Sequence, residues 1–293
     1  MAWKRGKRLC PIPELQASGE IASIYSEIRA GLGISFVPMA YQLLASEPTF
    51  LKEHWRAVAS LLETKAFRGC TDRLRADAYT RVHSYFKVPD LQQQLNELSF
   101  SDGAKEELSY VVDLFHYLNP ALLLIFAVQA QAFEGPVGSA ETKREPPNPM
   151  MFKHAPCFTE EDAAPASTRR WFDEARQITG IPVLSSDIRA LARWPEFLDR
   201  YWDTVRSLVR SPIFSECQRA IEDTAASLSR ELPGPVELTL NQLADAGLAE
   251  DEISAVAKTI DHMVHGFALL SLNISVAKIG LERGNLSHAE KVA

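Results

Sequence analysis

An internal duplication restricts the possible folds of this chain more than any other feature. Sliding the sequence by 147 positions lays Ile24–Cys70 on Trp171–Cys217 without a gap, and 15 of the 47 positions are identical. The identities include Glu27/Glu174, Arg29/Arg176, Gly33/Gly180, Ile34/Ile181, Leu44/Leu191, Pro48/Pro195, Phe50/Phe197, Trp55/Trp202, Phe67/Phe214 and Cys70/Cys217. The same shift lays Ala121-Leu122-Leu123 on Ala268-Leu269-Leu270. Self-similarity at a fixed offset predicts two copies of one supersecondary unit, packed about a pseudo-twofold.

The repeated unit reads as helical. Ile21, Ile24, Tyr25 and Ile28 recur at helical spacing, and Gly31-Leu32-Gly33 ends their helix. Ile34–Pro38 is an apolar, non-helical joint before a short helix from Met39 to Ala45. Pro48 opens the next helix at its favoured first turn, with Phe50, Leu51, Trp55, Val58, Leu61 and Leu62 as its buried stripe. Helical patterns continue to about Tyr117. Asn119-Pro120 then predicts an interruption, because proline cannot donate to the ladder, and a strongly apolar helix resumes over Ala121–Phe133. No stretch alternates with period two for long enough to form a strand. The fold class is therefore all-α. A first helical repeat spans 14–134, a Pro-rich linker 135–168 and a second repeat 169–284, together one compact unit.

Composition narrows the partners. A net charge of −7 argues against nucleic acid or an anionic membrane, and the basic Lys4–Arg8 tract is followed by no apolar core of a signal peptide. The longest apolar run, Ala121–Val128, is far short of the ~20 residues that span a bilayer. Four scattered cysteines without a CxxC fit a reducing cytoplasm, and carry no zinc signature. Cys70 and Cys217, at equivalent positions, read as packing residues, and Trp55 and Trp202 as core anchors.

Repeated positions describe scaffold, so function is sought where the copies disagree. Asp187 falls opposite Ala40, and Asn119 opposite Gly266. Asp187 lies in Gly180-Ile181-Pro182-Val183-Leu184-Ser185-Ser186-Asp187, an apolar joint leading into a new helix. Its ordinary role there would be to cap that helix. An unpaired polar group beside apolar segments costs roughly 1–3 kcal/mol, however, and scaffold needs should be alike in both halves. Both residues are candidates for function.

The succession Asn119-Pro120-Ala121-Leu122-Leu123-Leu124-Ile125, then Gly135-Pro136-Val137-Gly138-Ser139-Ala140-Glu141, then Ser186-Asp187-Ile188-Arg189-Ala190-Leu191-Ala192-Arg193-Trp194-Pro195, resembles the group I 2-haloacid dehalogenases, the DehI family. The resemblance covers roughly residues 14–284. It implies an active site enclosed between two all-α repeats, a homodimer, no cofactor or metal, and a small 2-halocarboxylate and water as partners. By the same resemblance Asp187 is the catalytic base, Asn119 positions the attacking water, and Ser186 helps to hold the substrate carboxylate. Phe36 and Met39 stand where the family carries a tryptophan and a phenylalanine. Val37 and Leu184 would join them in the apolar wall, with parts of the segment Phe267–Val276 of a terminal helix over Met263–Leu281. Ser185 stands where a family member acting on both enantiomers has alanine, which makes it a candidate control on stereochemistry.

The implied chemistry is direct hydrolysis with inversion at the α-carbon. Apolar surroundings would raise the Asp187 pKa and a helix N-terminus would lower it, and the sequence leaves the balance open. An alternative is a family member that binds or hydrolyses another small α-substituted carboxylate. His262 and His265, three apart beside Asp261, are weaker candidates as metal ligands, with His116 as a third. No GxSxG, HExxH, complete GxGxxG or phosphate-cradling GxxxxGK[ST] occurs.

Overall fold

A computed structural model describes residues 9–138 and 151–292, with side chains of the final helix through residue 283. Lys4–Arg8, Ser139–Glu141 and the Pro146, Pro147 and Pro149 part of the expected linker lie outside the described residues.

The first half comprises α1 (Gly19–Leu32), α2 (Met39–Leu44), α3 (Pro48–Leu62), α4 (Lys65–Tyr85), α5 (Leu91–Glu97) and α6 (Asp102–Ala132). The second comprises α7 (Ala166–Thr179), α8 (Ser186–Leu191), α9 (Pro195–Val209), α10 (Pro212–Glu231), α11 (Leu240–Asp245) and α12 (Glu250–Val292). The described residues contain no strand, only isolated bridges at Ile34–Phe152 and Val137–Val236. The chain is all-α.

Helices α1 to α4 each begin 147 positions before α7 to α10. The stops are as closely matched: Gly33 and Gly180 end α1 and α7 in the left-handed region, at φ 66° and 67°. A residue with a Cβ resists that conformation, and glycine does not. Pro48 and Pro195 sit in the first turns of α3 and α9. The indole N–H of Trp55 donates to Glu27 at 2.8 Å, and that of Trp202 to Glu174 at 2.7 Å. The sequence identities therefore mark helix starts, helix stops and a buried-indole clamp. Cys70 and Cys217 are buried, and burial pushes both thiols up in pKa.

Two expectations need correction. The helix does not break at Asn119-Pro120: α6 runs through Pro120 without interruption. Proline in a helix interior costs about 3 kcal/mol through the lost hydrogen bond and ring crowding. Every residue from Leu118 to Gln129 is buried, so packing offsets that local cost. The terminal helix is also longer than Met263–Leu281, beginning at Glu250. Of the expected linker, 135–138 and 151–165 are described and carry no helix, and α7 begins three residues before 169.

Helices α6 and α12 pack on each other through the centre of the molecule and make its largest interhelical contact. By length and composition both could cross a membrane, yet 83% of the apolar window in each is buried within the protein itself.

Candidate active site

The site grows from the joint between α7 and α8. Gly180 turns the chain, Pro182 keeps it out of helix, and Ser185 starts α8 as its N-cap. The Ser185 hydroxyl makes no cap bond to the helix backbone. It helps instead to favour the ionised form of the Asp187 carboxylate. Asp187 Oδ1 also accepts from the Ile188 N–H at 2.8 Å. From the centre of α6, Asn119 Nδ2 donates to Asp187 Oδ2 at 3.1 Å and to the Leu270 carbonyl of α12 at 3.5 Å. Two residues 68 positions apart thus meet across the interface of the halves, each only 2–3% exposed.

Burial raises the pKa of Asp187, and the bonds from Ser185, Asn119 and backbone N–H groups pull against it without cancelling it. The balance that the sequence leaves open falls to desolvation. Behind Asp187 lies Tyr201, whose hydroxyl donates to the Asn273 carbonyl at 2.9 Å. Burial, and then the nearby Asp187 charge, raise its pKa far above the ordinary phenol range. Tyr201 is neutral and adds no second negative charge beside the carboxylate.

A small hollow adjoins this pair. Phe115, Leu118, Asn119 and Leu122 of α6 line one side; Pro38, Met39 and Ala40 line another; Ile181, Val183, Ser185, Ser186 and Phe267 close it. Its volume of about 10 Å³ is roughly what one water molecule occupies. Asp187 stands behind this lining, in contact with Asn119. Outside is a wider cleft of about 690 Å³, and Met39, Val183 and Ser186 belong to both spaces and form the neck between them. At that neck the Met39 N–H donates to Ser186 Oγ at 3.0 Å, which joins the first residues of α2 and α8.

The sequence-derived residues distribute unevenly over this geometry. Asn119, Ser185, Ser186 and Met39 line the inner hollow. Phe36 and Val37 line the outer cleft, where Phe36 meets Phe158 at 5.1 Å between ring centroids. Leu184 lines neither space: it is buried in the core, and its neighbour Val183 faces both. Phe115, Leu118 and Leu122 are additions, and the periodicity around Asn119 contains them at −4, −1 and +3. Gly266, the counterpart of Asn119, faces Ile181 so closely that a Cβ would come within 2.3 Å of its side chain.

Of the histidine candidates, His265 is engaged elsewhere. His265 contacts Glu222 at 2.8 Å and Gln218 at 3.1 Å. Among the described residues no group of three or more His, Cys, Asp or Glu is placed to hold a metal ion.

Comparison with known proteins adds a family match. The family model for DehI, described as halocarboxylic acid dehydrogenase DehI, matches residues 35–188. An (R)-2-haloacid dehalogenase of Pseudomonas putida is 26% identical over 270 residues, which cover 88% of this chain and 89% of that protein. A configuration-inverting 2-haloacid dehalogenase of Alcaligenes xylosoxydans xylosoxydans is 29% identical over 240 residues, 79% of this chain and 80% of that one. The fold is similar to that of a D-2-haloacid dehalogenase mutant solved in complex with D-2-CPA, with TM-score 0.89 and 23% identity over 94% of this chain and 97% of the other.

Proposed function

The chain belongs to the DehI family, and from that membership we propose that it is a configuration-inverting 2-haloacid dehalogenase, a hydrolase that converts short 2-haloalkanoic acids and water to 2-hydroxy acids and halide. The contact between Asn119 and Asp187 at the wall of a water-sized hollow carries this reading. A water in the hollow is held by the Asn119 amide and gives a proton to Asp187. Its oxygen attacks the α-carbon from the side opposite the halogen. The carbon–oxygen bond forms as the carbon–halogen bond breaks, and halide leaves with the electron pair.

Alignment of water and carbon contributes ~7–11 kcal/mol where the geometry is right, and general-base assistance a further ~10²–10⁴-fold. A carboxylate with a raised pKa is a stronger base than a surface aspartate. The substrate carboxylate lies against Ser185, Ser186 and the start of α8. Its carbon chain occupies the neck, where Met39 is unbranched and flexible enough to move aside. Phe36 and Val37 form the outer wall.

The two halves are proposed to be repeats that enclose this site between them, supported by the common offset of their helix starts. A homodimer and a cytoplasmic location belong to the same reading, the latter supported by four free thiols.

The test is halide release from a panel of 2-chloro- and 2-bromo-acids of both configurations, with chiral separation of the product. No release from any of them overturns the function. Single turnover in heavy-oxygen water tests the chemistry: label belongs in the hydroxy acid, and label in the Asp187 carboxylate would make that residue a nucleophile.

A further inference from the structure

We propose that Arg189 is an anion receptor in the outer cleft, which takes the substrate carboxylate on its way to the neck, and that Glu160 is a built-in competitor occupying it in the resting protein. The proposal rests on the dehalogenase reading for the identity of the anion, though not for the existence of the site.

Arg189 lies three residues after Ser186 on α8, so the two side chains share a face, and both line the outer cleft. Among the described residues lining that cleft, Arg189 is the one basic side chain. Its side chain is only 10% exposed, whereas that of its partner Glu160 is 72% exposed. The guanidinium is fixed from three directions. Nη2 donates to Glu160 Oε1 at 2.5 Å, Nε donates to the Thr159 carbonyl at 3.3 Å, and the Phe158 ring lies 5.5 Å from its central carbon. A rigid planar cation in a cleft wall suits a carboxylate, and here an exposed carboxylate on a non-helical segment already takes that place.

The internal symmetry shows that this pair is not part of the scaffold. The surrounding backbone bonds are duplicated: Ile12 N–H to Gln42 carbonyl at 2.8 Å, and Thr159 N–H to Arg189 carbonyl at 3.0 Å, 147 positions apart. The flanking ion pairs Arg29–Glu14 and Arg176–Glu161 are duplicated as well. At the positions of Arg189 and Glu160 the first half carries Gln42 and Pro13. Of the other acids that line the cleft, Glu14 and Glu161 are paired with their arginines and Asp162 is not in contact with Arg189, which leaves Arg189 as the cleft's one cationic centre for an anion.

The experiment is calorimetric titration of the full chain with propionate, which contains no carbon–halogen bond, for wild type, Glu160→Gln, Arg189→Gln and Arg189→Lys. Parallel measurements give KM and kcat for 2-chloropropionate at 20 and 200 mM salt. Glu160→Gln is expected to tighten propionate severalfold and to lower KM, most at low salt. Arg189→Gln is expected to weaken propionate roughly tenfold or more, with Arg189→Lys between. Glu160→Gln leaving propionate affinity and KM unchanged, or weakening both, would show a structural tether and overturn the proposal. That variant removes an exposed group, so misfolding of Arg189→Gln leaves the decision intact. Propionate responses as expected in a protein that releases no halide would uphold the anion site and refute the dehalogenase.

Discussion

The Asn119 amide donates to the Asp187 carboxylate at 3.1 Å across the interface of two similar halves, and neither residue has a polar counterpart in the other half. The partner of Asn119 by symmetry is Gly266 and that of Asp187 is Ala40. One half contributes an amide and the other a buried carboxylate, and residues of both line the adjoining hollow.

Asp187→Asn is expected to lower halide release by ~10²–10⁴-fold. The same change should hold or raise the melting temperature at pH 7. Asp187 has a folded pKa above its unfolded value, so it binds its proton more tightly in the native state. Its contribution to stability is complete below the unfolded pKa and is lost as pH rises through the folded one. The amide removes this penalty. Chloride release together with thermal melts at pH 7 and pH 3.5 checks both halves of the prediction, since the stabilisation should disappear at the lower pH.

Asn119→Ala is expected to move the acid limb of the activity profile to higher pH as well as to lower its plateau. The Asn119 donor favours the ionised carboxylate, so its loss leaves burial less opposed and raises the Asp187 pKa further. The profile of kcat/KM between pH 4 and 8 reads this directly; an unshifted limb would mean that another group controls it.

His54 gives the protein a second, structural pH dependence. Its ring stacks between Phe50 and Phe126, Nδ1–H donates to Gln129 Oε1 at 2.8 Å, and burial lowers its pKa to about 4. The unfolded chain takes up this proton near pH 6.5, so the contribution is present above that value and is lost as pH falls towards about 4. The loss is of order 3 kcal/mol. His116, likewise lowered to about 4 mainly by burial, adds to the same slope. His54→Phe should flatten the fall of denaturant midpoint between pH 6.5 and 4, at a cost at pH 7 of ~1–3 kcal/mol for the stranded Gln129 acceptor.

Gly266→Ala is expected to destabilise by ~1–3 kcal/mol and to reduce activity, because the new methyl must displace Ile181 from the wall of the hollow. Gly69, exposed to open space on α4, is the control: Gly69→Ala meets nothing within 4 Å and should leave activity unchanged. Urea denaturation and halide release on both variants separate the local clash from a general effect of removing glycine.

Much of the fold was legible because its punctuation is written in residues with few alternatives. Gly33 and Gly180 need left-handed backbone, and Pro48 and Pro195 suit the first turn of a helix. Asn119 and Asp187 each stand out in the sequence as a departure from the repeat, and the structure brings the two into contact. The continuity of α6 was not, because a local rule about proline carries no information on the surrounding burial that overrides it. Nor could pattern alone choose between Val183 and Leu184 in a non-helical joint, where no period dictates which side chain faces the hollow. The wall residues Phe115, Leu118 and Leu122 follow from Asn119 by helical spacing once α6 is seen to be unbroken.

Fixing Asn119 in the middle of α6, with its amide also held by the α12 backbone, has a consequence for heat inactivation. Among the described residues, this side of the site is carried by the two central helices themselves and not by a loop. On slow warming, turnover should persist until the two central helices separate, so that inactivation and cooperative unfolding trace the same curve.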